Sequence, residues 1–148
     1  MRRRLAITAA ELMDEARRVV ACYPPLEASR LEDAVFVDVR DVIDRQREGH
    51  VPGSIHVPRT VLEWRVDTTA ELSNERIADP DLRLVIVCND GYSSLLAAAG
   101  LVRMGFERCG HLEGGHRAWV RAGLPVDFEA PDTGHRLGCT DIRRDITE

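Results

Sequence analysis

Lysine is absent from this chain: all twenty of its basic residues are arginine. Schiff-base formation with a carbonyl substrate and attachment of pyridoxal both need a lysine amine, so both chemistries are excluded. Long hydrophobic runs are also missing. No stretch approaches the ~20 apolar residues of a membrane span, and the first residues carry no continuous apolar segment ahead of a cleavage site. Neither a membrane partner nor a secretory signal is expected. A basic stripe is lacking too. The net charge is −5, the pI is about 5.6, and Arg2-Arg3-Arg4 is the one basic run. It reads as a solvated terminus, so no nucleic-acid partner is expected. The four cysteines, Cys22, Cys88, Cys109 and Cys139, form no close CxxC pair. Together with the missing signal, this points to the cytoplasm and to reduced thiols.

What is present is the composition of one compact domain: 148 residues, 44% hydrophobic and 30% charged, enough to bury a real core. Thr8-Ala9-Ala10-Glu11 has the form of a capping box. Leu12, Ala16, Val19 and Val20 follow at helical spacing, which predicts a helix from about Ala9 to Ala21, closed by Pro24-Pro25. Val35-Phe36-Val37, running into Asp38-Val39-Arg40, reads as a strand buried on both faces. A charged, helix-compatible stretch from Asp41 to Glu48 is broken by Gly49-His50-Val51-Pro52-Gly53, and Ser54 to Val57 is a brief strand stopped by Pro58. The polar stretch from Arg59 to Asp81 has Leu62, Trp64 and Val66 as anchors, with a helix expected around Ala70 to Ala78. Leu84-Val85-Ile86-Val87 is the clearest strand. It leads into Cys88-Asn89-Asp90-Gly91-Tyr92-Ser93-Ser94 and then a helix from Leu95 to Met104, stopped by Gly105. That helix is expected to pack through Leu95, Leu96, Ala99, Leu101 and Val102, with Gly100 allowing close approach to the sheet. Phe106 to Leu112 suggests an edge or near-edge strand, Gly114-Gly115 a turn, and His116 to Ala122 a short helix with Trp119 and Val120 facing in. Short strands alternating with helices predict an α/β fold, a central mostly parallel sheet flanked by helices on both faces.

In such sheets ligands lie beyond the carboxyl ends of the strands, and Cys88 stands at that end of the strongest strand. The helix that follows leaves free N–H groups and a partial positive charge at its start, and a curled loop aims further N–H groups inward. This setting favours a thiolate and would equally cradle a persulfide. Gly91 supplies a position free to take φ > 0, and Ser93 and Ser94 are candidate caps and hydroxyl donors. A strand end followed by Asn89-Asp90-Gly91 is a poor place to bury an inert cysteine.

Around it, Asp38 and Arg40 read as a structural ion pair or loop-fixing contacts rather than substrate contacts, and His50 and His56 as structural. Cys109 reads as core. Arg59, which with Trp64 and Arg65 follows the second strand, is the candidate for an accessory anion contact. Tyr92 either covers the cysteine or shields the loop. Asp90 either faces the sulfur, repelling dianions, or points to solvent. The spacing of His135 and Cys139 suits one helix face, but Gly138 lies between them and Cys109-Gly110-His111 is more simply a strand, so no metal site is expected. No cofactor is expected either.

From about Ala34 to Val126 the chain resembles the rhodanese family. Val37-Asp38-Val39-Arg40 resembles its first-strand motif, and Gly49-His50-Val51-Pro52-Gly53-Ser54 its Gly-His-Ile-Pro-Gly-Ala segment. Cys88-x-x-Gly91-x-Ser93-Ser94 resembles its active-site loop, and Leu112-Glu113-Gly114-Gly115 with Trp119 its C-terminal signature. The resemblance divides the chain into an N-terminal helical extension packed on the domain (1–33), a rhodanese-like domain (34–126) and a polar, loosely packed C-terminal tail (127–148). It implies a sulfurtransferase whose Cys88 cycles through a persulfide, with Asn89, Asp90, Gly91, Tyr92, Ser93, Ser94 and Arg59 around the substrate. The partners would be a small sulfur-donor molecule and a thiol or cyanide-like acceptor, a protein sulfur acceptor included. A regulatory, sulfur-sensing or partner-binding module is the alternative. A phosphatase or arsenate reductase needs a Cys-x5-Arg loop, and position 94 is serine. Many members of the family carry a basic residue within the loop. Here Asp90 stands there instead, which predicts that thiosulfate, a compact dianion, is a poorer donor than a less charged persulfide.

Overall fold

The computed structural model describes residues 2–128. Five strands, β1 (Ala21–Tyr23), β2 (Ala34–Asp38), β3 (Ile55–His56), β4 (Arg83–Val87) and β5 (Gly110–Leu112), form one sheet in the order β1-β5-β4-β2-β3. Every pairing in it is parallel. Six α-helices accompany them: α1 (Ala9–Arg17), α2 (Pro25–Ser29), α3 (Val42–Glu48), α4 (Leu62–Val66), α5 (Ser93–Met104) and α6 (Gly115–Arg121).

Two apolar layers explain why the sheet is parallel and covered on both sides. Strand residues alternate between faces. Leu84 and Ile86 of β4 join Met13 and Ala16 of α1, Leu62 and Val66 of α4 and Leu95, Ala98 and Leu101 of α5 in one buried cluster. Val85 and Val87 turn the other way, to Ala28 of α2 and Trp119 of α6. Phe36 meets Trp119 edge-on there, ring centroids 5.6 Å apart. A strand buried on both faces reads as a continuous apolar run, as Leu84 to Val87 of β4 do, with Arg83 only half-buried at the strand's start.

Several expectations are corrected. The first helix ends at Arg17 rather than Ala21, and residues 21–23 instead form β1, paired with β5. That pairing satisfies backbone groups that would otherwise stand open along the edge of β5. The segment before residue 34 therefore supplies a strand of the sheet as well as helix. No helix forms over residues 70–78. The side chains of Asp67 and Asn74 accept from backbone N–H groups two residues on and hold turns there, a local competitor of helix. Leu12, Val19, Trp64, Leu96 and Val120 are exposed rather than core-facing. A Cβ at Gly100 would meet nothing within 4 Å, so this glycine does not mediate close approach to the sheet. Asp127 pairs with His50 in an antiparallel bridge, so the chain is still packed where the tail was expected to begin. The rest of that tail, with His135 and Cys139, lies outside the described residues.

Candidate active site

Cys88 follows the last residue of β4 and opens the loop that ends at α5. Its side chain is on the α5 side of the sheet, only 7% exposed. It forms part of an open pocket of about 260 Å³ lined also by Val39, Arg40, Asn89, Asp90, Tyr92 and Ser93.

The loop is folded around the sulfur. The N–H groups of Gly91 and Ser94 point at Cys88 Sγ, at 3.1 and 3.3 Å. Gly91 sits at φ +90°, and a Cβ there would stand 2.8 Å from the backbone nitrogen of Gly114, so glycine is required twice over. On the far side the loop carbonyls are taken up by α6. The N–H of His116 donates to the Cys88 carbonyl at 2.8 Å and that of Arg117 to the Asn89 carbonyl at 3.1 Å. A helix start has free N–H groups to give. By drawing the carbonyls outward, α6 leaves the loop N–H groups turned toward the sulfur. Gly115 makes this approach feasible, since a Cβ there would lie 2.5 Å from the carbonyl carbon and oxygen of Asn89. Asn89 also ties the loop to α3, its Nδ2 donating to Asp44 at 3.0 Å.

The Ser94 hydroxyl lies 3.2 Å from Cys88 Sγ and 2.9 Å from Nδ1 of His111 on β5. Ser94 is therefore part of the sulfur's surroundings, as the sequence implies, but neither serine caps α5 through its side chain. Ser93 lies exposed at the mouth of the pocket, and Tyr92 beside it is 69% exposed, lining the pocket rather than covering the thiol. Burial, with a smaller push from the Arg17 charge, takes His111 down to about 4, so the ring is neutral at neutral pH. His116, fully buried, is also lowered, chiefly by burial.

Asp90 lines the pocket, and its carboxylate is held by Arg117 at 2.7 Å. The loop itself has no basic residue, but α6 supplies one, so the carboxylate at the pocket is paired. Arg59 is engaged by Glu63, with Nη1 at 2.9 Å from the carboxylate. Asp38 and Arg40 form the buried ion pair expected of them, at 2.8 Å, with Arg45 on the same carboxylate. Burial works to raise the Asp38 carboxyl, but the hydrogen bonds and charges of Arg40 and Arg45 outweigh it and hold it below the ordinary range. Arg40 also donates to the Gly49 carbonyl, fixing the loop after α3. His50 and His56 bond to neighbouring carbonyls, as structural residues do. Cys109 is buried in the core, its thiol pushed up to about 12 by burial, which makes it a poor nucleophile.

Residue-level reasoning did not assign His111, His116 or Arg117 to this site. Strand alternation places His111 on the opposite face to Leu112, but nothing in the chain order brings β5 beside Cys88.

The family model described as the rhodanese-like domain matches residues 26–122. A thiosulfate sulfurtransferase GlpE of Pseudomonas savastanoi is 38% identical over 115 residues, spanning 76% of this chain and 94% of that protein. Among solved structures, a protein of unknown function, possible tyrosine phosphatase, from Rhodopseudomonas palustris superposes with a TM-score of 0.78 at 30% identity, over 86% of this chain and 99% of that one. The polysulfide-sulfur transferase homodimer of Wolinella succinogenes superposes with a TM-score of 0.61 at 25% identity, covering 84% and 90%. A matching domain model over most of the chain, relatives covered almost end to end and a shared parallel-sheet fold establish that this protein belongs to the rhodanese-like family.

Proposed function

We propose that Cys88 is the nucleophile of this rhodanese-like sulfurtransferase and that it carries the transferred sulfur as a persulfide. The observation that carries the reading is the convergence of two backbone N–H groups and one hydroxyl on Cys88 Sγ at the floor of an open pocket. The two backbone N–H donors, fixed in this way, stabilise negative charge without reorganising when it develops. The thiolate attacks the outer sulfur of a sulfane donor. With thiosulfate, the S–S bond breaks, sulfite leaves, and Cys88–S–S⁻ remains. An acceptor thiolate or cyanide then attacks the terminal sulfur and returns Cys88 to its thiolate. Total charge is conserved in both steps. The pocket residues Asn89, Asp90, Tyr92 and Ser93 border the approaching donor, and Arg59 contributes only if its pairing with Glu63 opens. Thiosulfate is a natural first donor because curated relatives are named for it. A reducing compartment, the cytoplasm, suits a thiol that must stay free, and Cys22, Cys88 and Cys109 are all free. Among the described residues no helix is long and apolar enough to cross a membrane.

Tyrosine phosphatase chemistry, the function suggested for the Rhodopseudomonas protein, fits this loop less well. Position 94, where a bidentate arginine would be needed, holds a buried serine bonded to the sulfur.

Intact-protein mass spectrometry after thiosulfate treatment is the test. A mass gain of one sulfur in the wild type, absent in Cys88→Ser and retained in Cys109→Ser, is expected. A sulfur retained by Cys88→Ser would overturn the assignment.

A further inference from the structure

Cys88, Ser94 and His111 form a chain of contacts running from the pocket into the sheet. Sγ lies 3.2 Å from Ser94 Oγ, and Ser94 Oγ lies 2.9 Å from His111 Nδ1. The hydroxyl between them has one proton to give and lone pairs to receive with. It can donate to the sulfur or to the imidazole, not to both.

We propose that His111 is a positioning residue that sets the direction of the Ser94 hydroxyl, donating Nδ1–H to its oxygen so that the hydroxyl proton points at the Cys88 sulfur whenever that sulfur is a thiolate.

The chemistry leaves two arrangements. When the sulfur is a thiol, S–H donates to Ser94 Oγ, Ser94 donates to a bare Nδ1, and the imidazole proton sits on Nε2. When the sulfur is a thiolate it can only accept. Ser94 must then turn its proton toward Sγ, and its oxygen is free to accept from Nδ1–H. The tautomer of His111 and the charge on Cys88 are thereby coupled through one hydroxyl. The imidazole is 3% exposed, in a strand flanked by β1 and β4, so water does not compete for Nδ1. Its neutrality at working pH means that it acts through hydrogen-bond direction and not as a base or a charge. Ser94 also donates its backbone N–H to the same sulfur at 3.3 Å. One residue thus offers two donors to the thiolate, of which only the hydroxyl needs outside guidance.

This inference rests on Cys88 being the reactive thiol, and its test reads the thiolate directly rather than sulfur transfer. The rate of alkylation of Cys88 by iodoacetamide, located by peptide mass spectrometry, is measured against pH. Ser94→Ala and His111→Leu should each move the inflection of the profile upward by about one pH unit, a roughly tenfold loss of thiolate on its lower limb. The double variant should move it no further than Ser94→Ala does, because His111 acts through Ser94. His111→Asn, whose amide nitrogen takes the place of Nδ1, should restore most of the shift. Nitrogen-15 NMR of the wild-type imidazole provides a measurement independent of any variant's folding. A protonated Nδ1 is expected at pH values where Cys88 is thiolate. An unshifted inflection in folded His111→Leu, an undiminished His111→Leu effect in the Ser94→Ala background, or a bare Nδ1 opposite a thiolate would each overturn the proposal. Failure of the wild type to take up sulfur would instead count against the persulfide and leave these results standing.

Discussion

The Arg117 guanidinium reaches Asp90 at 2.7 Å and Glu48 at 3.5 Å, with about two-fifths of its side chain exposed. The carboxylate beside the pocket is therefore balanced by a cation that solvent can weaken but not remove. Removing the arginine side chain while keeping its backbone N–H should expose the charge of Asp90 to an incoming dianion. Arg117→Ala is expected to lower kcat/KM for thiosulfate by about fivefold at low ionic strength, with the loss shrinking as salt is added. Asp90→Asn in the same background should restore it. Steady-state kinetics at two salt concentrations decide the matter, and unchanged low-salt kinetics in Arg117→Ala would mean that the donor does not feel Asp90. At this scale Cys88 was legible in the sequence because a strand end followed by Asn89-Asp90-Gly91 is a local signal. Arg117 and His111 were not, since each meets its partner only once β5 and α6 have docked, 27 residues beyond Asp90 in the one case and 17 beyond Ser94 in the other.

The twelve-residue helix α5 carries the loop's end and must hold its position against β4 and α1. Leu101 is fully buried in the layer that includes Leu84, Ile86 and Met13. Leu101→Asp should place an unpaired carboxylate there and cost several kcal/mol, read as a large fall in the urea midpoint. Gly100, one residue earlier, has open space where a Cβ would go and no left-handed backbone. Gly100→Ala should therefore stabilise the protein by about 0.5–1 kcal/mol, since alanine forfeits less freedom on entering a helix. A lower midpoint in Gly100→Ala would mean that the glycine is needed for packing after all. Elements with a continuous apolar run or a strong period, β4 and α5, were readable in order and extent. β1 was not: its three residues, Ala21-Cys22-Tyr23, make a run too short to carry a period, and they become a strand only because β5 offers an open edge. The helix expected near residue 70 failed for the opposite reason, a local preference of Asp67 and Asn74 for turns.

Across the whole molecule the parallel architecture followed from the alternation of strands and helices, whereas the strand order did not. β1 and β5 become neighbours although 86 residues separate Tyr23 from Gly110 in the chain. The fold buries two histidines deeply, His111 on β5 between β1 and β4, and His116 at the start of α6, its Nε2 against the Glu48 carbonyl. Both are held neutral, with burial as the main cause, His111 down to about 4 from an ordinary 6.5. The unfolded chain releases them to ordinary titration, so between pH 6.5 and about 4 it binds more protons than the folded chain, and stability must rise with pH through that window. Above the ordinary histidine value the contribution is fully present; it falls away progressively on acidification toward pH 4. For His111 the full difference is on the order of 3 kcal/mol. Asp38, depressed chiefly by Arg40 and further by Arg45, adds a separate loss that sets in as the pH falls into the ordinary carboxylate range, where the unfolded carboxyl takes up its proton, and continues below it. Urea denaturation at pH 7.5, 6.0 and 5.0 should show a falling unfolding free energy. His111→Asn should show a shallower fall, because one of the two buried imidazoles no longer titrates on unfolding. A stability that is flat across this range in the wild type would mean that the histidines reach solvent in the folded state, and the rigid, dry setting that holds the Ser94 hydroxyl in place would go with it.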